Sequence, residues 1–449
     1  MAQDSGSQSS GFFGSQDDVH EEFHSKPVPL GNRLGFAEPA WVWSGFGIAF
    51  ICAVIGGQIQ QGMGTVDAIF AILLGNFILF VYSALIGYPS GKWGINFPLA
   101  VRYVFGRAGA VVPVIVLALL VTGWYAFQAW LTADILKVAF GLEGKVVVGI
   151  IALIAGIVYA IPVIFGIRHM ALVRKVAIPA MVIFAAYYLI TRVIPAGGSL
   201  FEGEGSGKIA FWTGVGMAWA TFAVSGTMTG DIVRYARTGN QAVSVTAVAF
   251  IFSNAPFMII GALISATIKD PATVYFFDQK SLAVLIPLVV LAILSNWSTC
   301  DACLYNAAMG FTNSLPGFNW RMAAIFGSVI GLIAAATGFI SDIVVWLLTI
   351  GLLVPPIGGA IIADYFVIRG EKGFAVERKS SVNWAAVIAI IVGVVLGYIV
   401  NERYPTFLFG ITGLVSSFVV YVILAKAAPA AMGADLGDES TGAEAEAEA

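Results

Sequence analysis

Residues 43–50 read Trp-Ser-Gly-Phe-Gly-Ile-Ala-Phe, and residues 212–219 read Trp-Thr-Gly-Val-Gly-Met-Ala-Trp. The segments that follow also align without a gap, at Ala71 with Ala249, Asn76 with Asn254 and 84–86 with 262–264. Two matches in register on consecutive apolar segments predict an internal repeat. The alternative is that small residues recur in membrane helices only because they permit close packing.

The chain is rich in apolar residues and poor in charge. Hydrophobic residues make up 59% and charged residues 11%, with a mean hydropathy of +0.90, whereas soluble domains carry about 25% charged residues. A water-soluble surface cannot be built from this supply, so the composition predicts a membrane protein. The polar, acidic ends, 1–38 and 426–449, are predicted to be disordered tails.

Long apolar runs fill the chain between these tails. A helix needs about 20 apolar residues to cross a bilayer, and runs this continuous predict helices rather than the alternating strands of a barrel. Among the stretches between the tails that lack Asp, Glu, Lys and Arg, twelve matter as candidate spans: 39–66, 68–91, 108–133, 146–167, 176–191, 209–230, 238–268, 281–300, 322–341, 343–363, 380–401 and 404–425. The fold class is therefore predicted to be an all-α membrane protein of about twelve transmembrane helices.

The orientation follows from Lys and Arg, which are more numerous in the loops after even-numbered spans. Cytoplasmic loops carry this excess, so both termini of a multi-pass protein of the cell (inner) membrane are expected in the cytoplasm. The repeat divides the chain into five-helix units at 39–192 and 209–363, followed by two extra helices at 380–425. Because five is odd, the second unit must be inverted in the membrane.

Transporters built from inverted repeats break the first helix of each unit near the midplane, where freed carbonyls hold a cation and freed amides meet the substrate. Glycine tolerates unusual backbone angles, so Gly45, Gly47, Gly214 and Gly216 are expected to permit such breaks. Ser295, Ser298 and Thr299 share one face of the eighth span. Their oxygens, together with carbonyls of a broken helix, suit a hard cation such as sodium. Alternatively, these hydroxyls only bond to their own helix or join helices.

Three further side chains suggest a substrate site. Trp124 and Gln128 lie one turn apart, and Phe222 offers a second aromatic face. Two aromatic rings can sandwich a flat ring while an amide reads its donors and acceptors; ordinary packing is the alternative. Asp301 is an intramembrane acid, which is a functional hypothesis by default. It is expected to bind a proton, to pair with the region of the sixth and seventh helices, or to hold a helix end.

Several motifs make the chain similar to a known family from about 34 to 425. They are Gly123-Trp124, the segment Ser-Gly-Thr-Met-Thr-Gly-Asp-Ile-Val-Arg-Tyr at 225–235, Trp-Ser-Thr at 297–299, and Pro-Pro-Ile-Gly-Gly-Ala-Ile-Ile-Ala-Asp-Tyr at 355–365. The chain resembles the cytosine/purine permease family of nucleobase–cation symporters, which includes hydantoin and allantoin carriers. The resemblance implies the leucine-transporter-like fold, with two inverted five-helix units and two extra helices.

The resemblance also implies the residues of the site. A sodium ion would bind the main-chain carbonyls of Gly45, Ile48 and Ser295 and the hydroxyls of Ser298 and Thr299. The substrate ring would lie between Trp124 and Phe222, and Gln128 matches a glutamine of the hydantoin-type carriers. The implied substrate site also includes Ala49, Thr221 and Cys300. No cofactor is expected beyond the transported ion.

Two positions depart from the family pattern. Cytosine carriers have asparagine where Cys300 and Ser295 stand, and a thiol is a poor hydrogen-bond partner. Gln128 is then expected to take over recognition, or the ligand is less polar than cytosine. The sequence predicts a monomeric sodium-driven symporter for a small neutral planar heterocycle: cytosine, another nucleobase or a pyrimidine- or hydantoin-like compound. The alternatives are proton coupling through Asp301, a membrane enzyme, and a channel or receptor; no nucleic-acid partner is expected.

Overall fold

The computed structural model describes residues 23, 26–165, 167–268, 281–338, 342–374, 376–404 and 409–437, and this part of the chain has helices and isolated bridges but no strand. The α-helices are α1 (Ala37–Gly47), α2 (Phe50–Met63), α3 (Thr65–Trp93), α4 (Phe97–Phe105), α5 (Val111–Phe140), α6 (Lys145–Phe165), α7 (Ile167–Tyr188), α8 (Phe211–Thr227), α9 (Gly230–Val233), α10 (Gly239–Ala247), α11 (Ala255–Thr267), α12 (Leu282–Ser314), α13 (Trp320–Thr337), α14 (Ile343–Ala363), α15 (Trp384–Arg403) and α16 (Phe409–Ala427). Shorter segments are the π-helices Leu189–Val193, Val248–Asn254 and Asp364–Arg369, the 3-10 turns Leu30–Asn32, Gly197–Phe201 and Gly370–Lys372, and the single turn Ile194–Ala196.

The number of membrane spans agrees with the sequence. Within the described residues, ten helical stretches are long and apolar enough to cross a membrane, and α1 with α2 forms an eleventh span bent by 49°. The remaining predicted span, 209–230, corresponds to α8, which has 17 residues and is followed by the short α9. The predicted all-α membrane fold of about twelve spans is confirmed.

The broken helices differ from expectation in where they break. The first break lies at Ile48 (φ −92°, ψ 65°) and Ala49 (φ −116°, ψ 144°). In α8 the backbone leaves helical geometry at Phe222 (φ −124°, ψ 16°), one turn beyond Ala218, the residue aligned with Ala49. All these φ angles are negative, so glycine is not required. The prediction that glycines permit the breaks is therefore wrong.

Two of those glycines, Gly47 and Gly214, lie in close packing contacts. A Cβ atom on Gly47 would lie 2.7 Å from the carbonyl oxygen of Ala249, and one on Gly214 would lie 2.3 Å from the terminal methyl of Met63. Both distances are far below van der Waals contact. Small residues are enriched where membrane helices approach closely, and here they let α1 and α8 lie against neighbouring helices.

The described helices pack as two groups with a flank. One group contains α5, α6, α7, α12 and α13, and the other contains α2, α3, α8, α10 and α11; α14, α15 and α16 lie beside the second group. The predicted substrate residues are divided between the groups. Ala49, Thr221 and Phe222 lie at breaks that belong with the second group, whereas Trp124, Gln128 and Cys300 lie on α5 and α12. The predicted substrate site therefore lies at the interface between the two helix groups.

The chain is ordered further towards both ends than its composition suggested. The buried Val28 donates its amide to Gly94 O over 2.8 Å, and Trp384 donates its amide to Met432 O over 2.8 Å. The predicted tails 1–38 and 426–449 thus each include a packed segment, and in the C-terminal tail this segment extends to Gly437. Backbone hydrogen bonds of this kind cannot be predicted from amino-acid composition. The outer parts of both tails lie outside the described residues.

Candidate substrate and cation site

Ser295 connects the broken first span to α12. Its hydroxyl accepts a hydrogen bond from the amide of Phe50 over 3.0 Å. Phe50 is the first residue of α2, and the first amides of a helix have no acceptor within that helix. The buried Ser295 hydroxyl supplies this acceptor from another helix, so the break and the hydroxyl cluster predicted for the cation lie side by side.

The other two hydroxyls converge on the same residue. Ser298 Oγ and Thr299 Oγ1 donate to the carbonyl oxygen of Ser295 over 3.0 and 3.2 Å. Gly45 and Ile48 lie in the last turn and at the C-terminal cap of α1, where carbonyls lack helical partners and carry partial negative charge. Oxygen groups of the kind that a hard cation binds thus lie on both sides of the break. The carbonyls of Gly45 and Ile48 lie at the end of α1, and the α12 oxygens lie beside the start of α2.

Gln128 is the most informative side chain on the substrate side. It is completely buried on α5, and within the described structure neither its Oε1 nor its Nε2 has a hydrogen-bond partner. Leaving buried polar groups unpaired costs about 1–3 kcal/mol, and such groups are rare in native proteins. An amide with a free donor and a free acceptor fits a polar ligand that offers the complementary pair.

The aromatic residues lie on different helices. Trp124 is buried one turn before Gln128 on α5, and its ring meets Phe127 edge-on at 5.9 Å. Phe222 is buried at the break of α8, with its ring 6.0 Å from Phe250. The predicted sandwich of a substrate between Trp124 and Phe222 would span the two helix groups, and it stays a prediction.

The remaining predicted residues are buried as well. Thr221 donates its hydroxyl to Met217 O over 2.8 Å, and the Cys300 thiol donates to Tyr125 O over 3.4 Å. The Thr221 hydroxyl and the Cys300 thiol therefore each donate their hydrogen to a backbone carbonyl. Ala49 is fully buried at the first break, and Asp301 is fully buried on α12 next to Cys300. The predicted substrate residues are thus all buried within the protein.

The family-like motif at 225–235 lies beside the site rather than in it. Asp231 Oδ1 accepts the amide of Phe97 at the start of α4 over 2.8 Å, and Arg234 Nη1 donates to Phe23 O over 2.8 Å. Burial raises the pKa of Asp231 to about 6, although the Phe97 amide and the Arg234 charge both favour its ionised form. This motif holds α4 and the N-terminal segment against α9.

The motif at 355–365 ends in a buried ionic cluster. The carboxylate of Asp364 accepts from Arg369 Nε and from Tyr421 Oη, both at 2.5 Å, and from Arg378 Nη2. Arg378 also donates to Ala434 O. The cluster joins α14, α16 and the C-terminal segment, so this motif also serves packing.

Sequence reasoning missed a polar network next to Gln128. Thr132 Oγ1 lies 2.9 Å from Tyr159 Oη and accepts from Asn296 Nδ2 over 3.2 Å, and the Tyr159 ring stacks on Trp297 at 5.7 Å. The available signal was the presence of Thr132 and Tyr159, two hydrogen-bonding residues in the middle of apolar spans. This network joins α5, α6 and α12.

A broken helix beside a hydroxyl cluster, with buried, unpaired polar groups at a helix interface, is the arrangement expected of a transporter with the leucine-transporter-like fold. The family model described as permease for cytosine/purines, uracil, thiamine, allantoin matches residues 36–424. The chain belongs to this family and is therefore a multi-pass membrane permease, not an enzyme.

Curated relatives and a solved structure agree with this assignment. The chain is 29% identical to the cytosine permease of Escherichia coli (strain K12) over 383 residues, covering 84% of this chain and 88% of the relative. It is 25% identical to the hydantoin permease of Microbacterium maritypicum, covering 85% and 84%. Mhp1, a nucleobase-cation-symport-1 family transporter solved in a closed conformation with bromovinylhydantoin bound, has the same fold (TM-score 0.77, 22% identity, 93% of this chain and 97% of Mhp1).

Proposed function

We propose that this permease is a sodium-coupled symporter that imports a small, neutral, planar heterocycle across the cell membrane by alternating access. It works as a monomer with both termini in the cytoplasm and with inverted units at 39–192 and 209–363. The main support is the hydrogen bond from the Phe50 amide to Ser295 Oγ. It sets the broken first span against the oxygen groups of α12, as a site for a small cation requires.

Sodium between the Gly45 and Ile48 carbonyls and the oxygens of Ser295, Ser298 and Thr299 would hold the two helix groups together. The same elements carry substrate residues, because Ala49 lies at the break and Cys300 lies on α12. Closing the groups around the ion therefore also shapes the substrate site. Coupling of this kind is reciprocal, so substrate must strengthen sodium binding by the factor by which sodium strengthens substrate binding.

The substrate class follows from the lining of the site. Trp124 and Phe222 would cover the two faces of a ring, and the free amide of Gln128 would pair with its edge. Relatives of this chain are named as cytosine and hydantoin permeases. The thiol of Cys300 bonds to Tyr125 O and is a weak donor, which favours another nucleobase or a pyrimidine- or hydantoin-like compound over cytosine.

Proton coupling is the second candidate, and it rests on Asp301. This carboxylate is completely buried in a membrane-spanning helix, immediately after the proposed ion and substrate residues. Ionisable residues in such positions commonly serve proton pathways. In that mechanism Asp301 would take up a proton from outside and release it inside.

The test is uptake into proteoliposomes that contain the purified protein. Labelled cytosine, uracil, hypoxanthine, allantoin, hydantoin and hydroxymethylpyrimidine are each supplied with an inward sodium gradient, with an inward proton gradient, and with neither. We expect sodium to stimulate the uptake of at least one compound. Uptake under the proton gradient alone would move the coupling role to Asp301. No uptake in any condition would contradict the assigned substrate class.

A further inference from the structure

The packing of α5 against α12 contains a second buried amide next to Gln128. Cys300 on α12 contacts the backbone of Tyr125, and Asn296, one turn earlier on α12, contacts Thr132. Tyr125 and Thr132 lie on either side of Gln128 along α5. Asn296 and Cys300 therefore flank Gln128 from the opposite helix.

The hydrogen bonds of Thr132 orient the Asn296 amide. A threonine hydroxyl has one hydrogen to donate and two lone pairs that accept. Thr132 Oγ1 lies 3.1 Å from the backbone carbonyl of Gln128, which can only accept. With its hydrogen used there, Thr132 can only accept from Asn296 Nδ2, at 3.2 Å. The carbonyl of the Asn296 side chain must then point away from Thr132.

That carbonyl has no partner. Asn296 is completely buried, and its Oδ1 makes no hydrogen bond within the described part of the chain. Tyr159 supports Thr132 from α6, at 2.9 Å between the two hydroxyl oxygens, and its ring stacks on Trp297. The acceptor is thus held by three helices. A rigid, buried acceptor without a donor is a costly arrangement unless a ligand supplies the donor.

We propose that Asn296 is a specificity-determining residue whose Oδ1 accepts a hydrogen bond from a ring N–H of the substrate. This inference rests on the proposed function and refines it. The substrate class becomes heterocycles with a ring N–H beside a ring carbonyl: the carbonyl faces the Gln128 amide nitrogen and the N–H faces Asn296. A methyl group on that nitrogen would remove the donor and leave Asn296 unpaired, so the N-methylated analogue is rejected.

The experiment compares each parent heterocycle with its singly N-methylated forms, such as uracil with 1-methyluracil and 3-methyluracil. Binding is measured in saturating sodium with the purified full-length protein, by competition against the labelled parent. For wild type, one methylation should weaken binding by roughly ten- to a hundredfold, as expected when one buried acceptor is left unpaired. Asn296→Ala should weaken parent binding by a similar factor and bind that methylated form equally well.

Controls separate recognition from general damage to the fold. Asn313→Ala removes an amide that bonds to Met309 O on the same helix, away from this interface, and should preserve the discrimination. Sodium affinity without substrate should be unchanged in Asn296→Ala, because the proposed ion ligands remain. Thr132→Val is a second variant, which frees the Asn296 amide to turn and should reduce the discrimination several-fold.

Two results would overturn the inference in distinguishable ways. If Asn296→Ala binds the parent and still rejects every methylated form as wild type does, Oδ1 does not read the substrate, while the proposed function stands. If no parent heterocycle binds wild-type protein in sodium, the proposed function fails, and this inference fails with it.

Discussion

Asn254 Nδ2 donates a hydrogen bond of 2.7 Å to Asn76 Oδ1, and both side chains are completely buried. The two asparagines are aligned with each other in the predicted repeat. Asn76 Nδ2 donates in turn to Ile72 O over 2.9 Å. Equivalent residues meet in this way where a pseudo-two-fold axis passes between repeats, so the contact supports the arrangement inferred from the aligned motifs.

Asn76→Ala should lower the free energy of unfolding by about 1–3 kcal/mol, because it leaves the buried Asn254 amide without an acceptor. Thermal unfolding of the purified protein in detergent measures this effect. Asn254→Ala should cost a similar amount. The double variant should be destabilised by less than the sum, as expected for residues in contact, whereas the exposed Asn240→Ala serves as control. Fully additive losses would mean that the two amides do not stabilise each other.

Much of this fold could be predicted, because apolar runs indicate the membrane spans and repeated motifs indicate the repeated units. The exact positions of the breaks could not, since Ile48, Ala49 and Phe222 break their helices with angles open to any residue. The first break is supported by a tertiary contact, because the Phe50 amide at the start of α2 has Ser295 as its acceptor. Gly47 and Gly214, two of the glycines that suggested breaks, instead lie where helices approach closely, and sequence alone does not separate these two uses.

Thr299→Ala should weaken the binding of sodium and of substrate together, because one ligand of the proposed ion site is lost and the two sites are coupled. The coupling is typically worth 1–3 kcal/mol, or roughly 5–150-fold in affinity. Substrate binding measured over a range of sodium concentrations tests this. Thr337→Ala, at an exposed hydroxyl on α13, is the control. Unchanged, sodium-dependent substrate affinity in Thr299→Ala would place the ion elsewhere.

Asp301→Asn discriminates between the two coupling ions. If sodium drives transport, this variant should keep sodium-stimulated uptake. If protons drive it, the variant should lose uptake driven by a pH gradient while still exchanging labelled for unlabelled substrate, since exchange needs no net proton movement. Proteoliposome uptake under separate sodium and proton gradients measures both. Loss of sodium stimulation in Asp301→Asn would contradict the role of Ser298 and Thr299 as a sufficient cation site.

The candidate site was only partly accessible to sequence reasoning. Helical spacing placed Ser295, Ser298 and Thr299 on one face, and in the structure the Ser298 and Thr299 hydroxyls both bond to the Ser295 carbonyl. The partner of Asn296, by contrast, is Thr132, which is 164 residues away in the chain. Such contacts arise from the packing of distant helices, which no local pattern records.

Asp231 should make stability depend on pH. Burial raises its pKa from the ordinary 3.8 to about 6 in the folded protein, so folding favours the protonated form. Its stabilising contribution is complete below about pH 4 and is lost as the pH rises through 6, a change of about 3 kcal/mol at 1.36 kcal/mol per pKa unit. Unfolding at several pH values should show this fall in wild type, and Asp231→Asn should abolish it. Glu202→Gln, at an exposed carboxylate, should keep it.

The C-terminal segment should stabilise the protein although its composition suggests disorder. Ala434 O accepts from the buried Arg378, which also binds Asp364, and the amides of Lys379 and Trp384 bond to Asp435 O and Met432 O. Ending the chain after Ala427 removes these acceptors, so we expect the free energy of unfolding to fall by about 2 kcal/mol or more, at about 0.5–1.5 kcal/mol per hydrogen bond. Ending it after Gly437 keeps them and is the matched control, with an expected melting temperature close to that of the full chain. Equal melting temperatures for the two truncated chains would show that the docked segment adds nothing, whereas a drop only in the shorter one would assign the stabilisation to residues 428–437.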